Sequence, residues 1–268
     1  MSLSIRSKQI LILVSYLLLG LCIKLANAGE VKIAVASNFL QPMKNLAEVY
    51  ESETGHIVKI SSGSTGKLFA QISHGAPYDL FFAANSREPE KLETQGLAIN
   101  GSRFTYAVGE VVLWSKHTQF ASLADIQKVF EQKKIHTIAL ANPKTAPYGI
   151  AAQEVLKNLG VSLRGVKLIK GENINQAWQY TQTGNADIGF IAASQWKAGT
   201  ARPRKGLVFY PPKNLYSEIE QQAVMLSSSK NADVAQDFLN FIKREDVQKK
   251  IAAFGYGQTN VAMLPKSL

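Results

Sequence analysis

The chain has 268 residues, 46% of them hydrophobic, with 30 Lys and Arg against 20 Asp and Glu, a formal charge of +10 and a single cysteine. That length suits two modest domains or one large one, and a lone cysteine excludes a disulfide framework. The basic excess is spread along the chain, densest at 197–205 around Arg202 and Arg204, and no basic stripe interleaved with aromatics marks a nucleic-acid partner. Such a field helps an anion arrive, ordinary solubility being the alternative.

The first 28 residues read as a secretory signal peptide. Arg6 and Lys8 make a basic start, 10–23 is an apolar run closed by Lys24, and Ala26-Asn27-Ala28 is a small-residue cleavage site. The run is short for a membrane span. Cleavage before Gly29 removes Arg6, Lys8, Lys24 and the one cysteine, Cys22. Leu21 in front of that cysteine argues against lipidation. The exported chain is therefore expected to lack thiols and to work in the periplasm.

Residues 31–37 (VKIAVAS) form a β-rich run. After Asn38-Phe39, Pro42 stands where a first helical turn tolerates it, and Met43, Leu46, Ala47 and Tyr50 share one helical face up to Gly55. A strand follows at 56–61, then a turn of glycine and hydroxyl residues, Ser61 to Gly66, and a helix from Lys67 with Leu68, Phe69 and Ile72 at helical spacing. Gly75-Ala76-Pro77 turns into a buried strand at 79–84 and a short helix at 89–94. This βαβαβα order predicts a mostly parallel sheet with helices outside.

Residues 104–115 break that rhythm with two extended apolar pieces around Gly109-Glu110, read as a crossing into a second lobe. There, helices are expected at 123–130, 151–159 and 175–183, and strands at 137–141, 166–170, 187–191 and 207–210. Pro211-Pro212 leads to a return crossing near 219–226, and helices at 233–243 and 246–254 pack back on the first lobe. The domains are thus 29–109 with 219–268, and 110–218. α/β sheets bind ligands at strand C-termini, so the cleft between the lobes is the expected site.

Four strand-to-helix junctions point there: Ser37-Asn38, Ser61 to Gly66, Ala146-Pro147-Tyr148-Gly149 and Asn173-Ile174-Asn175. The first amides of a helix lack intrahelical partners and sit at its positive end, so such junctions bind oxyanions. Ser37, Asn38 and Thr65 add side-chain donors. A plain helix cap is the alternative at each. A P-loop is excluded at Gly63–Gly66, because the glycines are too close and Leu68 replaces the Ser or Thr that would hold magnesium.

AVASNF at 34–39, SSGSTG at 61–66, GAPYDLFFAA at 75–84, GSRFTYAVG at 101–109, NPKTAPYG at 142–149 and ADIGFI at 186–191 together resemble the periplasmic molybdate-binding proteins of ABC importers over the whole exported chain. The resemblance implies a two-lobed, type II-like periplasmic-binding-protein fold and a monomer that binds molybdate or tungstate, without a cofactor, for an inner-membrane permease. Sulfate or phosphate is the alternative ligand. It also implies Ser37 and Thr65 as hydroxyl ligands, Asn38 as a ligand of one branch, and Tyr148 and Ile174 as donors of backbone N–H groups. Some members place a tyrosine hydroxyl on the anion just after the strand at 187–191. Ala192 stands there in this chain, leaving Asn38 to supply that donor.

A secreted hydrolase is the reading from another class, and nothing in the sequence supports it. His56, His74, His117 and His136 are isolated, without metal-ligand spacing. No G-x-S-x-G elbow occurs. Asp79 and Asp187 stand at strand starts, away from the cleft, and do not form the carboxylate pair of a glycosidase.

Overall fold

A computed structural model describes residues 28–116, 122–197 and 206–257. The leader with Cys22, His117 and most of the basic cluster, including Arg202 and Arg204, lie outside the described residues.

Two five-stranded sheets carry the fold. The first has the order β2-β1-β3-β10-β4, built from β1 (Glu30–Ala36), β2 (Ile57–Gly63), β3 (Leu80–Phe82), β4 (Phe104–Gly109) and β10 (Ile219–Met225). The second has the order β7-β6-β8-β5-β9, from β5 (Val111–Ser115), β6 (Thr137–Ala141), β7 (Lys167–Gly171), β8 (Ile188–Ala192) and β9 (Leu207–Phe209). β1 pairs in parallel with β2 and β3, and β6 with β7 and β8. β10 and β5 run antiparallel to their neighbours. The chain leaves the first sheet at Gly109 and returns at Ile219, and these two residues face each other in the β4–β10 register.

Helices cover the sheets: α1 (Leu40–Thr54), α2 (Thr65–Ser73), α3 (Arg87–Thr94), α4 (Leu123–Glu131), α5 (Pro147–Asn158), α6 (Ile174–Gln182), α7 (Ala193–Lys197), α8 (Ala232–Lys243) and α9 (Glu245–Ala253). α1 ends where Gly55 takes a left-handed conformation (φ 74°), which costs glycine no Cβ clash. α8 and α9 bury Phe238, Leu239, Ile242, Val247 and Ile251 in the core of the first sheet, with Phe39, Met43 and Tyr50 of the N-terminal half. A fully buried side chain of this kind is worth about 1.5–3 kcal/mol, so this return packing is a substantial part of that core. No helix among the described residues is long and apolar enough to cross a membrane.

Three helix starts differ from the sequence reading by two residues or more, all in one direction. α2 begins at Thr65 rather than Lys67, α3 at Arg87 rather than Pro89, and α5 at Pro147 rather than Ala151. The added residues of α2 and α3 are small or polar and carry no apolar periodicity, and in α5 Pro147 and Gly149 mask the start. Proline in α5 fits because the first helical position needs no N–H. The short helix α7 was not anticipated.

Asp79 and Asp187 have structural work. Asp79 accepts the Lys32 amide at 2.7 Å and the Ser229 hydroxyl at 2.7 Å. Asp187 accepts the amides of His136 and Thr137 at 2.8 and 2.9 Å. Burial alone would raise the Asp187 carboxyl, but these bonds and the Thr137 hydroxyl hold it below the ordinary carboxylate value.

Candidate functional site

All four junctions reach one cavity between the two sheets. It is lined by Ala36, Ser37 and Asn38 after β1, Gly63, Ser64 and Thr65 after β2, Ala146, Pro147 and Tyr148 after β6, and Ile174 after β7, with Ala84 beyond β3. The five residues singled out from the sequence, Ser37, Asn38, Thr65, Tyr148 and Ile174, therefore stand around the same space. That space is about 190 Å³ with its opening included. It suits a small ion rather than a sugar or peptide.

The helix amides are already largely assigned, and those left over belong to cavity residues. In α5, Pro147 has no N–H, and Gly149 and Ile150 both donate to the Ala146 carbonyl at 2.9 and 3.2 Å. Tyr148 keeps the first-turn amide without a partner among the described residues. In α6, the Asn173 side chain accepts from Asn175 and Gln176 at 3.0 and 3.2 Å, and the Asn173 carbonyl takes Ala177 at 3.2 Å. Ile174 is left in the same way. Two helices of the second sheet thus each present one N–H group.

Thr65 departs from the capping role weighed in the sequence. It is the first residue of α2, with Ser64 at the cap position, and its Oγ1 accepts the Ala84 amide at 3.0 Å. With its acceptor side engaged, the hydroxyl hydrogen is available to a ligand. Asn38 is held by a buried network. Its Nδ2 donates to Gln221 Oε1 at 2.7 Å and to the Tyr256 hydroxyl at 3.1 Å, and Tyr256 donates back to the Asn38 carbonyl at 2.9 Å. In this structure both amide hydrogens are engaged within the protein, while Asn38 itself lines the cavity beside Ser37.

Behind the cavity, Gln221 joins Asn38 to Tyr106 at 3.2 Å and to the Tyr148 hydroxyl at 3.5 Å. Burial, with help from neighbouring tyrosines, pushes the Tyr106 and Tyr148 hydroxyls well above the usual phenol range, and burial raises that of Tyr256 too. All three stay neutral donors and acceptors. Sequence reading missed Gln221, Tyr106 and Tyr256. Gln221 left no distinctive trace, because it sits within the polar run Glu220-Gln221-Gln222 of β10.

No Lys, Arg, Asp, Glu or His lines the cavity, and no cluster of metal-ligating side chains occurs among the described residues. Helix ends and hydroxyls are the whole electrostatic provision. The cleft is shut in this structure: the Gly66 amide donates to the Thr145 carbonyl across it at 2.8 Å, the Ser194 hydroxyl reaches the Asn38 carbonyl at 3.4 Å, and Lys67 pairs with Glu172 at 2.8 Å.

Comparison with known proteins gives a consistent pattern. Residues 31–257 match the profile of the bacterial extracellular solute-binding proteins. The chain is similar to the molybdate-binding protein ModA of Azotobacter vinelandii, with 43% identity over 89% of this chain and 94% of that one. It is similar also to ModA of Rhodobacter capsulatus, with 39% identity over 90% and 92%. Among solved structures, the periplasmic molybdate-binding protein of Azotobacter vinelandii superposes with a TM-score of 0.80 at 39% identity, covering 86% of this chain and all of that one.

Proposed function

The chain belongs to the bacterial extracellular solute-binding proteins, and we propose that it binds molybdate or tungstate in the cleft between its sheets and delivers the anion to an inner-membrane ABC permease. The observation that carries this reading is the cavity itself, a small space lined by donors from four helix starts with no charged side chain. A tetrahedral dianion has four oxygens that only accept, and helix N-termini stabilise it without a cation. The similarity to molybdate-binding relatives supports the choice of anion.

Ser37 and Thr65 donate hydroxyl hydrogens, Tyr148 and Ile174 donate backbone amides, and Asn38 lines the cavity beside Ser37. The bodies that close on the anion are 29–109 with 219–268, and 110–218. The protein acts in the periplasm as a monomer, after removal of the leader. It carries its ligand unchanged, without catalysis, cofactor or nucleic acid.

Calorimetry with molybdate, tungstate, sulfate and phosphate tests the reading. Molybdate and tungstate are expected to bind alike, since both present four oxygens on centres of similar size. Sulfate is smaller, and each donor it leaves unsatisfied costs about 1–3 kcal/mol. Heat from sulfate with none from molybdate would overturn the choice of ligand.

A further inference from the structure

Five buried side-chain atoms lack a hydrogen-bond partner among the described residues: Ser64 Oγ, Asn85 Oδ1, Glu88 Oε2, Trp114 Nε1 and Thr145 Oγ1. Of these residues, Ser64 alone lines the cavity. It is 3% exposed. It also stands at the cap position of α2 in extended conformation (φ −73°, ψ 145°), where a serine hydroxyl ordinarily accepts an amide of the first helical turn. Here it accepts none. The second amide of that turn, Gly66, goes instead to Thr145 across the cleft, and Leu68 bonds the Ser64 carbonyl. The hydroxyl is thus buried, unpaired and beside the space where the anion is placed.

An unpaired buried hydroxyl is unfavourable in the empty protein, and a ligand that accepts its hydrogen removes the penalty. We infer that the Ser64 hydroxyl is a further donor to the bound oxyanion, adjacent to Thr65 and additional to the five residues assigned above. The inference rests on the oxyanion reading. Its chemistry is donor-only: an anion oxygen takes the hydrogen, and no bond within the protein has to break to release it. Thr65 differs, because it holds the Ala84 amide at the same time.

The contrast between empty and loaded protein makes this testable. Ser64→Ala removes a group that has no partner without ligand, so the melting temperature of the anion-free protein is expected to stay level or rise. Affinity for molybdate is expected to fall at least about tenfold, the scale of one hydrogen bond to a charged group, and the molybdate-induced rise in melting temperature should shrink with it. Ser64→Cys keeps the shape with a weak donor and should lose affinity while folding normally. Affinity equal to that of the unmodified protein in both variants would refute the inference alone. So would a lowered anion-free melting temperature with an unchanged molybdate-induced rise, the mark of a structural hydroxyl. No heat from any of the four anions with the unmodified protein would sink the oxyanion reading and this inference with it.

Discussion

The Tyr148 hydroxyl fills the space that a side chain on Gly109 would need, since a Cβ there would stand 2.3 Å from it. Gly109 ends β4 at the crossing between sheets, whereas Tyr148 carries one of the leftover amides at the cavity. The crossing between the sheets and the cavity therefore touch through one aromatic ring. Tyr148 is buried and a Gly109 Cβ would also meet Gln221 Nε2 at 2.8 Å, so neither neighbour can yield freely. Gly109→Ala is expected to displace the ring, and with it the first turn of α5. Overpacking of this kind costs about 1–3 kcal/mol. Adding Tyr148→Phe removes the nearest clashing atom and should recover part of both stability and affinity. A double-mutant cycle that shows simple additivity would dissociate the two residues.

Ser37 and Thr65 are expected to respond differently to alanine. Loss of either hydroxyl should weaken anion binding by about 1.5–3 kcal/mol, the range for a bond to a charged group. Thr65→Ala also strands the buried Ala84 amide, which costs stability by about 1–3 kcal/mol without any ligand. Thr65→Ser should keep that bond and most of the stability. Urea unfolding of the anion-free variants, set beside calorimetry, separates the two effects. Equal stability of Thr65→Ala and Ser37→Ala would contradict the role given to Ala84.

The parts of this architecture that depend on period and punctuation were legible. β6 falls at 137–141 as read, and Gly55 stops α1 because only a residue without Cβ turns left-handed there cheaply. The shared place of the four junctions after strands was legible, whereas their convergence on one cavity is seen only in the structure. The fate of individual polar groups was not legible. Asn38 reads as a free donor, yet its amide is consumed by Gln221 and Tyr256, which lie 183 and 218 residues away in the chain. Ser64 reads as an ordinary cap, and only the pull of Thr145 on Gly66 shows why it is not. Long-range pairing of short polar side chains leaves no periodic trace.

Ligand should favour the shut cleft, because the anion touches both sheets. Gly66 permits the closest approach: a Cβ there would lie 3.1 Å from the Thr145 carbonyl oxygen and 3.2 Å from its Cα. Gly66→Ala should hold the cleft slightly open and lower affinity. Lys67 and Glu172, both largely exposed, form a pair worth little, so Lys67→Ala should change affinity far less. Small-angle scattering should show a smaller particle with molybdate than without. Tryptophan emission is a poor reporter of closure, because Trp178 stacks on Trp114 at 4.7 Å and Trp196 lies beside them, all on elements of the second sheet. Identical scattering profiles at saturating molybdate would count against closure.

Phosphate should be rejected on account of its proton. Near neutral pH it carries hydrogen on at least one oxygen, and that hydroxyl needs an acceptor in the cavity. No carboxylate lines the site. Two obvious substitutes are engaged, since Thr65 Oγ1 already accepts Ala84 and the Asn38 amide is held by Gln221 and Tyr256. A rotated Ser37 or Ser64 hydroxyl would accept only by ceasing to donate to the anion. Fully deprotonated molybdate makes no such demand. The cavity also contains no group that titrates between pH 6 and 9, because burial holds the Tyr148 hydroxyl well above the ordinary phenol value. Molybdate affinity is therefore expected to be flat across that range, and phosphate in large excess at pH 7 should leave bound molybdate in place. Competition by phosphate as effective as that by tungstate, or a bend in the molybdate profile near pH 6–7, would reveal an acceptor or a titrating group acting on the anion.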